Sequence, residues 1–497
     1  MTRLLLAFSL CFFALILPAQ VLINEISAAN LTGPLDSDGD REDWVELYNP
    51  SAATVNLSGW FLSDNPANPQ KWVVPNGQNI AAGAYRMVYC SSKDKVAGTS
   101  LHTNFKITQT KGESLVLTQP NGTTADSYTF NTATQGDQSY GRSPNGGANW
   151  AIYTMPTPGA TNSSTAYLSY APSVTASQNP GNFPAGISVS LSTGAGFTIR
   201  YTVDGSEPNI TSTLYAAPIN IATTKVLKAR AFSANPQILP GFVLFNTYFI
   251  NATHTVPVVS IAGDNVVNLM NGSSIRPFGS FEYFENGVRK EEAYGEFNKH
   301  GNDSWAYPQR GIDWITRDQM GYKDELKQKF FEDRSRKKFQ RLILKAAAND
   351  NYPSAGGAHI RDAFVQMLAL KGGMDVDVRT NLSCVLYVNG QYWGVYEIRE
   401  KVDDADFTSY YYDQDDADVD YIKTWGNTWA EYGTLTDWYT LKGYILGNNM
   451  AIAANYTYVQ QQFDVLSLID YVIINQESVC KDWLNWNTSW WRGRNPS

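Results

Sequence analysis

The sequence predicts two all-β sandwich domains followed by a third domain that mixes helices and strands. A chain of 497 residues is too long for one hydrophobic core, and roughly three to four domains are expected. In the first half, short alternating strands recur at intervals of about ten residues between turns rich in Gly, Pro and Asn. Beyond residue 255, apolar residues also recur at helical spacing.

Composition favours β-rich extracellular modules over cytosolic helical bundles. The chain has 14 Trp, 29 Tyr and 38 Gly, while charged residues make up only 17%. Its formal net charge of −9 provides no overall positive field to offset phosphate repulsion. Nucleic acid is therefore excluded as the main partner.

Residues 1–20 have the pattern of a secretory signal. Arg3 supplies the positive start, residues 4–17 form an apolar run and residues 18–20 offer a cleavage zone. The run is too short for a comfortable membrane span, and no other stretch reaches that length. We therefore predict an extracellular or cell-surface protein without a membrane span after signal cleavage.

The cysteines predict neither a disulfide framework nor a metal pair. Cys11 leaves with the signal, and Cys90, Cys384 and Cys480 are widely scattered. We expect each of these three to be a buried apolar thiol.

Residues 21–160 form the first predicted sandwich, because short strands alternate there with turn motifs. The motifs INEI (23–26), DWVELYNP (43–50) and VNLSGW (55–60) resemble the lamin-tail domain, an immunoglobulin-like module. This resemblance implies a binding or spacer module rather than a catalyst.

Three aspartates crowd the turn at residues 36–40, and hard oxygen ligands of this kind suit Ca²⁺. The glycine of the turn is misplaced for an EF-hand loop, and no glutamate closes the loop at the required distance. A solvated turn is the favoured interpretation, and Ca²⁺ is the alternative.

Residues 161–174 are rich in Pro, Thr, Ser and Ala and read as a linker to a second β domain at 175–252. Asp204 and Gly205 form a hairpin turn signal between alternating strands. The motifs IRYTVDGSEP (199–208) and VLKARAF (226–232) resemble the fibronectin-type-III-like module at the C-terminus of chitobiases and hexosaminidases. The resemblance implies a scaffold beside a catalytic domain, and no residue pattern indicates sugar binding.

Residues 253–497 form the predicted α+β domain. Apolar residues at spacings of three and four predict a helix over 360–370, and the apolar segment 463–474 predicts a second one. Strands at 384–388 and 392–398 flank an Asn389–Gly390 hairpin turn.

Several enzyme classes are excluded by missing motifs. The chain has no GxxxxGK[ST], HExxH or GxSxG motif. Its four histidines are far apart in sequence, which argues against a zinc site built from histidine.

The segment DWLNWN (482–487) places an Asp five positions before an Asn, the spacing of a phosphoryl-transfer catalytic loop. Three motifs precede it, IRDA (360–363), VNGQYWGVY (388–396) and IREKVD (398–403), with YIK at 421–423. Together they resemble the CotH kinase family, atypical kinases that are secreted or found in spore coats.

The resemblance implies ATP and Mg²⁺ as cofactors and assigns roles to individual residues. Asp482 becomes the catalytic-loop aspartate, and Asn487 and Asn485 become Mg²⁺ ligands. Glu400 becomes the acidic residue that positions a lysine or the metal-nucleotide. Positive charge for the phosphates would come from Lys345, Arg361, Arg310 or Lys401. The alternative for each is an ordinary surface charge, and for Glu400 an ion pair with Arg399 or Lys401.

The chain departs from the family pattern in two places. A basic segment near the nucleotide becomes PQRGID (308–313), where Gln309 and Arg310 replace lysines and Asp313 adds a negative charge. The family also carries a second metal-binding Asp beyond the position where Ser497 ends this sequence. We therefore expect an incomplete kinase-like domain.

Two charged runs have plain structural interpretations. Residues 323–341 alternate Lys and Arg with Asp and Glu, as on a solvated helix face. The acidic run 403–420 is interpreted as an exposed loop, with Ca²⁺ binding or recruitment of a basic substrate as the alternatives.

These observations favour a secreted kinase that transfers the γ-phosphate of ATP to hydroxyls of a protein substrate. One alternative is an inactive pseudokinase or structural adhesin of the cell surface or matrix. The other is a glycan-associated surface protein, suggested only by the second β domain.

Overall fold

A computed structural model describes residues 21–350, 357–414, 418–483 and 486–494. The predicted signal at 1–20 lies outside the described residues. The chain divides into two compact units, Met1–Ala166 and Tyr167–Ser497. In the part that the structure describes, no helix is both long and apolar enough to cross a bilayer.

The first unit is a sandwich of antiparallel strands, as predicted. One sheet has the order β13-β12-β1-β2-β7 and the other β11-β10-β4-β5. The strands are β1 (Leu22–Ser27), β2 (Trp44–Tyr48), β3 (Val55–Asn56), β4 (Phe61–Ser63), β5 (Trp72–Val73), β6 (Asn79–Ile80), β7 (Tyr85–Tyr89), β8 (Val96–Ala97), β9 (Ser100–Leu101), β10 (Ser114–Thr118), β11 (Thr124–Thr129), β12 (Ser139–Arg142) and β13 (Trp150–Tyr153), with a 3₁₀ turn at Gln109–Lys111. The inward residues of alternating strands, such as Val45, Leu47 and Leu117, form its core.

The aspartate turn at 36–40 is not fully solvated, because a lysine side chain lies among its carboxylates. The Lys93 ammonium lies 2.5 Å from Asp36, 3.0 Å from Asp38 and 2.7 Å from Asp40. The Asp36 side chain has no exposed surface. Asp36, Asp40 and Glu42 are close enough together to share a metal ion. Lys93 supplies the positive charge that a Ca²⁺ ion would otherwise bring.

The second unit begins with the second predicted β domain. Strand β14 (Ala166–Tyr167) lies at the division between the units. The strands of this domain are β15 (Ser169–Tyr170), β16 (Thr175–Ala176), β17 (Gly181–Phe183), β18 (Ile187–Val189), β19 (Leu191–Ser192), β20 (Phe197–Thr202), β21 (Thr213–Leu214), β22 (Ile219–Ile221), β23 (Lys225–Ser233), β24 (Ile238–Leu239) and β25 (Leu244–Ile250). Val189, Ile221, Leu227 and Tyr248 belong to its core. The predicted linker 161–174 contributes β15, which pairs with β24.

The third domain contains a seven-stranded barrel that the sequence did not predict. Its strands are β26 (Val258–Ala262), β27 (Phe278–Glu285), β28 (Val288–His300), β29 (Gly311–Thr316), β30 (Arg341–Lys345), β31 (Asn381–Val388) and β32 (Gln391–Glu400). They follow the order β28-β27-β26-β31-β32-β30-β29, and pairing of β29 with β28 closes the ring. Large side chains including Phe281, Phe297 and Trp314 fill the interior.

Helices and a small sheet accompany the barrel. The helices are α1 (Val266–Met270), α2 (Arg361–Lys371), α3 (Ala405–Tyr412), α4 (Thr436–Gly447), α5 (Ala453–Gln462) and α6 (Val465–Glu477), with 3₁₀ turns at Asp303–Ala306, Asp318–Met320 and Ala348–Asp350. β34 (Asn427–Tyr432), β33 (Val419–Trp425) and β35 (Thr488–Gly493) form a sheet in that order. The helices predicted over 360–370 and 463–474 and the Asn389–Gly390 hairpin are present.

The helix predicted from the charged run 323–341 is wrong. Beyond the 3₁₀ turn at 318–320 this segment forms no helix before strand β30 begins at Arg341. Its apolar residues Leu326, Phe330, Phe331 and Phe339 are buried in the core of the barrel. Because burial of these side chains sets the path of the segment, the charge pattern alone was misleading.

The exposed loop predicted for 403–420 is also wrong for most of its described residues, since strand β33 begins at Val419 and Asp420 is buried. Helix α3 occupies residues 405–412, and the Asp404 carboxylate accepts a hydrogen bond from the Asp406 amide at its start. Asp403 and Asp404 are buried. Residues 415–417 lie outside the described part of the chain.

Two of the three cysteines are buried as predicted, and the third is half-buried. Cys90 and Cys384 are buried, whereas Cys480 is partly exposed. Burial raises the pKa of the Cys384 thiol, so this side chain behaves as a small apolar residue.

Candidate functional site

One strand–helix pair brings a lysine and an aspartate together. Lys345 ends β30, and Asp362 is the second residue of α2. The Lys345 ammonium donates a hydrogen bond of 2.6 Å to the Asp362 carboxylate. Burial opposes ionisation of Asp362, but the charges of Lys345 and Arg399 together hold its pKa below the usual range.

Arg399 joins this pair from the neighbouring strand β32. Its guanidinium is 3.0 Å from Asp362 and 2.6 Å from Glu397, and its side chain is fully buried. It also donates a 3.3 Å hydrogen bond to the Arg379 carbonyl. Through this bond the Lys345–Asp362 pair is connected to a second charged group.

The second group surrounds Asp403, just after β32. Lys423, Arg379 and Lys401 have their cationic nitrogens 2.8, 3.1 and 3.5 Å from its carboxylate. Burial would raise the pKa of Asp403, yet these three cations lower it well below its ordinary value. Asp403 therefore stays ionised and fixes three long cationic side chains.

His300 and Asp313 border the same group. The His300 ring Nδ1 is 2.9 Å from the Asp313 carboxylate, which lies 3.4 Å from the Lys401 ammonium. Burial lowers the pKa of His300. The sequence interpretation treated Asp313 only as an unfavourable charge, whereas the structure uses it to hold Lys401 and His300.

Glu400 is placed differently from the role that the family resemblance implies. Its carboxylate is fully buried, 3.2 Å from Arg336 and 3.2 Å from the Thr380 hydroxyl. Burial raises its pKa, and the charge of Arg336 opposes that rise. Within the described residues its ion-pair partner is Arg336, not a lysine and not its neighbours Arg399 or Lys401.

Arg310 and Arg361 also lie outside the two charged groups. Arg310 donates to the carbonyls of Trp305 at 3.0 Å and Met270 at 3.1 Å, so its guanidinium supports the backbone. Arg361 is exposed and pairs with Asp350 at 3.3 Å.

The proposed catalytic loop directly precedes β35, a strand of the small sheet. Strand β35 pairs with β33, with Ser489 opposite Lys423, whose ammonium contacts Asp403. Asp482 precedes β35 by a few residues and is exposed, as is Asn487. Asn485 lies outside the described residues. The side-chain oxygen of Asn487 is a donor of the kind that Mg²⁺ prefers, and the Asp482 carboxylate can accept a proton.

Several of these residues were overlooked in the sequence. Asp362 and Asp403 lie inside quoted motifs, and Lys423 belongs to YIK, so a closer look at charged residues within those motifs could have found them. Arg379 stands in no motif, and its position follows only from the irregular segment that leads into β31.

Comparison with family models identifies three domains. Residues 18–132 match the Lamin Tail Domain, residues 178–237 the Chitobiase/beta-hexosaminidase C-terminal domain, and residues 300–497 the CotH kinase protein. No curated protein matches the chain in a sequence search. The three matches occur in the predicted order, so the predicted architecture is confirmed.

Proposed function

We propose that this chain, which ends in a CotH kinase domain, is a secreted protein kinase that uses ATP and Mg²⁺ to phosphorylate hydroxyls of a protein substrate. The observation that carries the proposal is the pair formed by Lys345 on a strand and Asp362 on the following helix. Protein kinases pair a strand lysine with a helix carboxylate in the same way, because the lysine must be held towards the nucleotide phosphates.

Each residue of the site has a separate role in the proposed phosphoryl transfer. Lys345 and the three cations around Asp403, Arg379, Lys401 and Lys423, supply positioned positive charge for a polyphosphate. Asp482 accepts the proton of the attacking hydroxyl, and Asn487 is the Mg²⁺ ligand in the described part of the loop. The metal ion, when bound, neutralises charge on the phosphates.

Export is part of the same proposal. The signal pattern at residues 1–20 supports it, and a chitobiase-type domain is compatible with an extracellular protein.

Two substitutions in the full chain test this assignment, with phosphate transfer from labelled ATP and ATP binding measured side by side. Asp482→Asn should lower transfer by about 10²-fold or more and leave ATP·Mg²⁺ binding intact, because it removes only the base. Lys345→Met should weaken both. The matched control is Lys290→Met, an exposed strand lysine. Wild-type transfer by the Asp482→Asn variant would contradict the role of Asp482.

A second candidate function is an inactive nucleotide-binding or structural protein. The observation that favours it is Arg310, which replaces a family lysine and is engaged by backbone carbonyls. ATP binding without any transfer by the wild-type chain would select this second function.

A further inference from the structure

We propose that the chitobiase-type module and the CotH barrel form a single folding unit, so that the module is a structural part of the kinase domain. The inference does not depend on the reaction catalysed. It starts from β25, the strand of the module that precedes the barrel, and from the residues that pack on its two faces.

Both faces of β25 are buried in different cores. Leu244, Tyr248 and Ile250 pack in the core of the module. Phe249, on the opposite face, packs with Val258, Phe284 and Tyr387 of the barrel. Because successive side chains of a strand point to opposite faces, one strand serves both cores. A module joined by a flexible linker would keep one face of this strand polar.

Buried polar groups connect the same two parts. The Thr247 hydroxyl of β25 is 2.8 Å from the Ser260 hydroxyl and donates to the Glu282 carboxylate. Arg289 is 2.9 Å from Glu282 and donates to the Phe245 carbonyl at 3.1 Å. Separation of the two parts would remove the Thr247 hydroxyl from Glu282 and the Phe245 carbonyl from Arg289, so two buried hydrogen bonds would be lost.

A fully buried lysine makes a second connection. The Lys228 ammonium of β23 contacts the Glu207 carboxylate and donates to the barrel carbonyl of Ala262 at 3.0 Å. It also lies 5.3 Å from the ring centre of Tyr294 on β28, and the Tyr294 hydroxyl donates to Glu207. An isolated module would expose this charge, whereas the barrel completes its surroundings.

The backbone itself continues from module to barrel. Strand β17 pairs with β25 of the module and, through Gly181, with Val288 at the start of β28. A Cβ atom at Gly181 would lie 2.4 Å from the Gly287 carbonyl oxygen, so the close approach requires glycine. The other end of β28 is His300, which borders Asp313 in the candidate site. One strand therefore runs from the module to the site.

Native-state hydrogen exchange of the full chain in low denaturant tests the proposal. Peptides from β23 and from β27–β28 should share one opening free energy and one denaturant dependence. Peptides from β1 and β2, in the first compact unit, provide the internal reference. Exchange of the β23 peptide at lower denaturant than the β27–β28 peptides would overturn the proposal.

A variant in the module adds a second test. Val189→Ala, in the module core, should lower protection of the module and of the barrel by the same factor, about tenfold or more. Unchanged barrel protection would overturn the proposal. Thr247→Val removes the buried hydroxyl at the junction. This variant should also lower the protection of both the module and the barrel against exchange. Its control is Thr198→Val, an exposed threonine of the module, which should affect neither.

Discussion

At the scale of single residues, two glutamates inside the first unit are unusual. Glu25 and Glu46 are directly opposite each other on β1 and β2, and both are fully buried. Their partners among the described residues are neutral: Ser139 and Thr157 donate to Glu25, and Asn24 and the Gly159 amide to Glu46. The nearby cation Arg142 is paired with Asp126. The two carboxylates therefore hold the segment 157–162 against the sheet without a counter-charge.

This pair predicts a pH-dependent stability of the first unit. Burial, with a smaller contribution from the charge of Glu25, raises the pKa of Glu46 from 4.5 to about 7. The folded unit thus keeps a proton that the unfolded chain releases. The contribution of Glu46 to the free energy of unfolding should be largest below pH 4.5 and fall as pH rises to 7, by about 3 kcal/mol in total.

Denaturant unfolding of the full chain between pH 4.5 and 8, followed by hydrogen exchange of the β1 and β2 peptides, measures this slope. Glu46→Gln should reduce it, because the amide does not titrate in this range, while the raised pKa of Glu25 leaves part of the slope. Asp64→Asn, which alters an ion pair with Lys71 in the same unit, serves as the control and should keep the slope. A wild-type unit whose stability rises over this range would contradict the expected sign.

The burial of Glu46 also shows a limit of predicting exposure from the alternation of apolar and polar residues along a strand. On β2, Val45 and Leu47 face the sandwich core, so alternation correctly places Glu46 on the other face. That face is usually solvated, but here the segment 157–162 covers it. Since this contact joins residues more than a hundred positions apart, no local pattern could predict it.

At the scale of elements, strands and helices with strong local signals were predictable, whereas the closure of the barrel was not. Helix α2 follows from its 3.6-residue period and the β31–β32 hairpin from its Asn-Gly turn. Closure depends on the pairing of β28 with β29 along six residue pairs, among them Gly295 with Thr316. Nothing in either strand alone specifies that partner.

Gly295 makes this closure testable. A Cβ atom there would lie 2.1 Å from the Ile315 carbonyl oxygen across the β28–β29 contact. Gly295→Ala should therefore destabilise the second unit by about 1–3 kcal/mol, through the strain of overpacking.

Gly443→Ala is the matched control for that substitution. Gly443 lies in α4, and no atom stands within 4 Å of the added Cβ. Alanine favours the helix over glycine by about 1 kcal/mol, so this variant should be slightly more stable. Thermal unfolding measures the stability change of both variants. Equal stability of Gly295→Ala and the wild type would refute the close contact.

At the scale of the whole molecule, the division into two compact units predicts which unit a bound nucleotide would stabilise. The Lys345 and Asp403 groups, and the loop of Asp482, all belong to the second unit. A ligand that binds only the folded state stabilises it by about 2.7 kcal/mol at a hundred times its dissociation constant. ATP with Mg²⁺ should therefore raise the unfolding temperature of the second unit and leave that of the first unit unchanged.

Calorimetry of the full chain, with hydrogen exchange used to assign each transition, checks this prediction. Asp482→Asn should keep the shift, because the role proposed for this aspartate concerns the substrate hydroxyl, while Lys345→Met should reduce it. If the module and barrel form one folding unit, the peptides of β23 and β28 should gain protection together on nucleotide binding. Stabilisation of the first unit, or a shift that survives Lys345→Met in full, would place the nucleotide elsewhere than at the Lys345–Asp362 pair.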